Sequence, residues 1–123
     1  MKIFFFTGSR AEYGLVLPLL RACIDHELIE PVLVISGSHL DETFGLTVSE
    51  VRKTCDADFI EMPLSTFGDE NTIEVDYVNR TISDVVVKFS KILINERPDA
   101  VVRLVQTHMV DLKPRLILSY LYY

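Results

Sequence analysis

The sequence predicts an α/β fold, a Rossmann-like parallel sheet with helices on both faces. Three observations carry this. The strand-like runs are continuously apolar, as in "KIFFFT" and "PVLVIS", which fits strands buried on both faces. Segments of helical period alternate with them. Glycine-bearing polar loops follow the carboxyl ends of the first two strands, where open parallel sheets place their ligands.

Residues 2–7 read as the first strand, and "TGSRAEYG" (7–14) as the loop after it. "LVLPLLRACIDH" then reads as a helix with Pro18 in its first turn, where a missing N–H costs nothing. Leu19, Leu20, Cys23 and Ile24 are expected on its core face, and His26 sits at its carboxyl end. Residues 31–36 form the second strand, followed by the loop "SGSHLDETFG". "LTVSEVRKT" is a short helix and "ADFIEMP" a weaker third strand. A polar loop spans 64–72. The apolar positions 78, 82, 85, 86, 89, 92 and 93 then recur at helical spacing within 73–95. "ERPDAVV" supplies a turn and a fourth strand over 99–103.

Composition narrows the function classes. A chain of 123 residues suits one domain with a real core. Its net charge of −6 argues against a broad nucleic-acid surface but not against a small phosphorylated ligand held in one cationic pocket. Cys23 and Cys55 lack CxxC or His partners, so no metal site is expected and two free thiols in a reducing cytoplasm are. The apolar start is too short for a signal peptide, no run is long enough for a membrane span, and a cytoplasmic location is expected.

The two loops hold the candidate chemistry. In "TGSRAEYG", backbone N–H groups meet a helix N-terminus, an arrangement that favours an anion. Arg10 adds a fork of donors that suits phosphate, and Gly8 and Gly14 permit close backbone approach. Neither GxGxxG nor the P-loop pattern fits. A tight turn with Arg10 as a surface charge is the alternative, and local chemistry leaves both open. In the second loop His39 can contact a substrate or move protons near neutral pH, or simply bond its own backbone. Asp41 and Glu42 are adjacent, which does not make them an acid/base pair.

Taken together, "TGSRAEYGLVLPLLRA", "VLVISGSHLDETFGLTVSEV" and "INERPDAVV" resemble the N-terminal part of UDP-N-acetylglucosamine 2-epimerases, most of all their hydrolysing branch. The resemblance covers residues 1 to about 102 and leaves 103–123 as a non-matching tail. It implies the first half of a GT-B-like fold, truncated, with a UDP-sugar in the cleft between two Rossmann-like domains. It further implies elimination of UDP across C1 and C2 of the sugar, then addition of water to give N-acetylmannosamine for sialic acid and related synthesis. No NAD, metal or other cofactor is implied, and the family is homo-oligomeric. By the same resemblance Arg10 contacts the UDP, Gly14 lies against it, and Gly8 and His39 are near the substrate.

The Gly-Asp-Arg type motif of the family is not found after "RPDAVV", nor are the carboxylates that follow it. Asp111 has no matching surroundings. The expectation is therefore a fragment inactive alone, through a shifted frame or gene fragment from about residue 103. A short paralogue whose tail packs as a last strand or helix is the alternative. A non-catalytic nucleotide-sugar-binding or interaction module is the other functional reading, and a flavodoxin-like domain a weaker third. An incomplete sheet exposes an edge, which favours self-association.

Overall fold

The computed structural model describes residues 1–65, 74–105 and 115–120. Its elements are β1 (Lys2–Thr7), α1 (Arg10–Ile24), β2 (Glu30–Ser36), α2 (Val48–Thr54), β3 (Asp58–Met62), α3 (Glu74–Glu96), β4 (Ala100–Val105) and β5 (Arg115–Tyr120). Two 3-10 turns, Gly37–Leu40 and Glu42–Phe44, join β2 to α2. The sheet order is β3-β2-β1-β4-β5. The first four strands are parallel, which gives the Rossmann-like architecture expected. β5 is not: it runs antiparallel to β4, with Val102 opposite Leu118. The tail thus covers the outer edge of β4, which the sequence left open. β4 also runs through position 102 to Val105. Asp111, Leu121 and most of the 64–72 loop lie outside the described residues.

The apolar strands divide their side chains between two cores. Ile3 and Phe5 of β1 join Leu33 and Ile35 of β2 beneath α1 and α2. Phe4 joins Val32 and Val34 on the opposite face, where Val85, Phe89, Ile92 and Leu93 of α3 pack. Alternation is invisible in "IFFF" because both faces are buried, so every position is apolar. On α3 the stripe 85, 89, 92 and 93 meets the sheet. Val78, Ile82 and Val86 share the helical period but lie on the exposed side.

Helix α1 departs most from its expected form. It begins at Arg10, so residues 10–14 are helical and only Gly8 and Ser9 remain as loop. Ser9 is the N-cap, and its hydroxyl accepts from the Glu12 N–H at 3.4 Å. The Glu12 carboxylate reaches back to the Gly8 N–H at 2.7 Å. This is a capping box displaced by one residue, and it satisfies two donors at the helix start. Pro18 consequently lies inside the helix instead of in its first turn. A proline inside a helix leaves the carbonyl four residues earlier, here that of Gly14, without its partner, and both residues are exposed, so solvent can serve it. The core face of α1 follows the helical period from Tyr13. Tyr13, Val16, Leu20 and Cys23 are buried, while Leu19 turns outward.

Candidate functional site

The strand order runs outward from β1 to β2 and β3 on one side and to β4 on the other. The chain therefore changes direction between β1 and β4, and the crevice beyond their carboxyl ends is where this architecture binds ligands. A cavity of about 280 Å³ lies there. Phe6 and Gly8 come from β1 and its loop, Gly37 from the end of β2, Val101 and Arg103 from β4, and Val85 and Phe89 from α3. Ser9 and Glu12 bring the start of α1 to its rim.

The two loops of the sequence are joined here through backbone. Gly37 has φ +60°, and a Cβ on it would stand 2.6 Å from the Gly8 carbonyl oxygen. The same oxygen accepts from the Ser38 N–H at 2.9 Å and from its hydroxyl at 3.0 Å. Glycine is required at 37 for both conformation and space. The contact fixes the loop from which α1 starts.

The four expected site residues separate onto different sides of the α1 N-terminus. Gly8 lines the cavity. Arg10 turns away from it toward α2, where its guanidinium pairs with Glu50 at 3.2 Å while its side chain stays 72% exposed. An exposed pair of this kind contributes at most about 1 kcal/mol, so a ligand anion can displace Glu50 at little cost. Gly14 is exposed one turn further along, and nothing lies within 4 Å of where its Cβ would be. The Arg10 and Ala11 N–H groups have no acceptor among the described residues. They leave two donors at the positive end of the helix dipole.

His39 is placed differently. It is buried within the first 3-10 turn, edge-on to Tyr13, with ring centroids 6.2 Å apart. Both ring nitrogens are engaged, Nε2 by the Thr7 hydroxyl at 3.0 Å and Nδ1 by the Thr47 hydroxyl at 2.7 Å. Thr7 Oγ1 donates to the Ser9 carbonyl, which leaves its lone pairs to accept the Nε2 hydrogen. In the neutral ring, the form that burial favours, Thr47 donates to Nδ1. Burial holds the imidazole pKa below its ordinary value of 6.5, against smaller opposing effects of the Ser9 carbonyl, Glu12 and Glu50. His39 thus ties the end of β1 to the start of α2 and braces the α1 cap from beneath.

Four participants did not stand out in the sequence. Glu12 carried a signal, since "SRAE" is the S-x-x-E of a capping box. Thr7 and Thr47 carried none, because their role depends on where His39 is buried. Arg103 carried a faint one, a charge inside the apolar strand "AVVRLV". Among the described residues no cluster of His, Cys, Asp or Glu could hold a metal ion, and no helix is long and apolar enough to cross a membrane.

No protein-family model matches the sequence. A UDP-N-acetylglucosamine 2-epimerase of Neisseria meningitidis serogroup B is 27% identical over 100 residues, covering 81% of this chain and 25% of that protein. A hydrolysing UDP-N,N'-diacetylbacillosamine 2-epimerase of Legionella pneumophila is 31% identical over 110 residues, covering 84% of this chain and 26% of the relative. This chain is similar in sequence to these 2-epimerases. It spans about a quarter of the length of those relatives. The solved structure of the Neisseria meningitidis UDP-GlcNAc 2-epimerase bound to UDP-GlcNAc matches this chain with a TM-score of 0.62 at 16% identity. That match covers 84% of this chain and 25% of the other, and it shows the shared Rossmann-like fold.

Proposed function

We propose that this chain forms part of the UDP-sugar site of a hydrolysing UDP-N-acetylglucosamine 2-epimerase, in the cytoplasm, for amino-sugar synthesis. The observation that carries the reading is the α1 N-terminus. It stands at the switch point of the sheet with two open N–H donors, and Arg10 beside it is held only by an exposed ion pair. Relatedness to the epimerases supplies the ligand class. In this reading the diphosphate displaces Glu50 from Arg10 and accepts from the Arg10 and Ala11 N–H groups. The nucleotide lies along the exposed side of α1 at Gly14. Gly8 and His39 act indirectly, by setting the loop and bracing it. Removing UDP from the sugar and adding water needs an acid/base pair, and no residue described here is assigned that role. The 123-residue chain is therefore expected to bind UDP weakly without turning over UDP-GlcNAc.

Two substitutions test this by calorimetry with UDP. Arg10→Ala should weaken binding roughly tenfold, the equivalent of one charge-assisted hydrogen bond. Equal heats for the variant and the parent chain would remove the proposed site. Gly14→Ala should raise helix stability by about 0.5–1 kcal/mol, because glycine is a poor helix residue and the added methyl meets nothing. The same methyl should weaken UDP binding if the nucleotide lies against position 14. A variant that gains stability and binds UDP as before would exclude Gly14 from the contact.

A further inference from the structure

The cavity at the switch point has a chemistry that the UDP-sugar reading does not use. Its floor is apolar. Phe6 and Phe89 meet edge to face, with centroids 5.5 Å apart and planes at 75°, and Leu64, Val85 and Val101 complete the wall. Ser9, Ser36 and Glu12 line the opposite, polar side. A volume of about 280 Å³ suits one ring with a short chain.

Arg103 stands at the edge of this floor. Its guanidinium lies over the Phe6 ring, 5.8 Å from the centroid. A cation held over a ring face keeps its N–H donors available to a further partner. Arg10 and Arg52 are each paired with a glutamate, whereas Arg103 has no carboxylate partner among the described residues. The cavity's other charged side chain is Glu12, whose Oε2 is held by the Gly8 N–H. On the cavity side of α1 Glu12 already takes up the Gly8 N–H, so within the cavity Arg103 is the place for an anion.

We propose that the switch-point cavity binds a small ligand joining one anionic group to an apolar or aromatic body, with the anion on Arg103 and the body against Phe6, Val85 and Phe89. Carboxylate and phosphate share the required chemistry. This site is separate from the outward-facing Arg10 side of α1, so the two can be tested apart.

The test is an amide NMR titration of the 123-residue chain with 3-phenylpropanoate and with phenyl phosphate. Acetate and inorganic phosphate lack the apolar body, and 3-phenylpropanol lacks the charge. The expected result is saturable shifts at Phe6, Gly8, Phe89 and Arg103 with at least one aryl anion, and at least tenfold weaker binding of all three controls. The stronger aryl anion identifies the source. Arg103→Gln, an exposed change, should weaken that binding about tenfold or more, the loss expected for one charge-assisted hydrogen bond. Val85→Phe should abolish it by filling the cavity while leaving the UDP titration unchanged. No saturable shift, equal binding of 3-phenylpropanol, or an Arg103→Gln variant that binds like the parent would each overturn the proposal. Loss of UDP binding in Val85→Phe, with the fold intact by circular dichroism, would overturn the separation of the two sites.

Discussion

Gly37→Ala is expected to destabilise the fold by about 2–4 kcal/mol, measured by chemical denaturation at constant slope. Two costs add. A residue with a Cβ pays roughly 1–2 kcal/mol to hold φ near +60°. The new methyl also stands 2.6 Å from the Gly8 carbonyl oxygen, so backbone must move. That movement weakens the two hydrogen bonds from Ser38 to the same oxygen, each worth about 1 kcal/mol. Gly45→Ala is the control. Position 45 also has positive φ, +84°, but nothing lies within 4 Å of its Cβ position. It should show the conformational cost without the clash. Equal losses at 37 and 45 would mean that the close approach of the two loops is not what glycine serves.

His39→Ala is expected to cost about 3 kcal/mol, because it opens a void in a fully buried place and strips partners from two hydroxyls. His39→Gln, which keeps hydrogen-bonding capacity without titrating, should lose less. The two causes separate with pH. Burial lowers the folded-state pKa of His39 below 6.5, so on acidification the unfolded chain takes up a proton before the folded chain does. This contribution to stability is complete above about 6.5 and is lost as pH falls through the folded value. The stability advantage of the parent chain over His39→Gln should therefore shrink as pH drops below 6.5. A difference constant over that range would show that His39 is not a buried neutral imidazole.

The sheet was legible in the sequence because Phe4, Phe5, Leu33 and Ile35 are buried whichever face they meet, and only a two-sided sheet asks that of consecutive residues. The start of α1 was misplaced because Pro18 was given the first turn, although Ser9 and Glu12 already spelled a cap. A proline on the exposed side of a helix, opposite a glycine, is tolerated where a buried one would not be. Leu19 lies outward because the buried stripe runs through 13, 16, 20 and 23. Of the site, the placement of both loops beyond the strand ends was readable, but their tie through Gly37 to the Gly8 carbonyl oxygen was not. Whether Arg10 faces the cavity or α2 depends on Glu50, forty positions away, and no local pattern reports that. His39 looked like a loop histidine because nothing in "SGSHLDETFG" says that its 3-10 turn folds inward beneath Tyr13. Arg103 acquires its meaning only when β4 is laid beside β1.

The central claim is that the N-terminus of α1 receives the diphosphate of a UDP-sugar. An amide NMR titration of the labelled chain with UDP tests it most directly. Saturable shifts centred on Ser9, Arg10, Ala11 and Gly14 are expected, with Glu50 responding as Arg10 leaves it. Saturable shifts confined to other elements, or none at millimolar UDP, would contradict it.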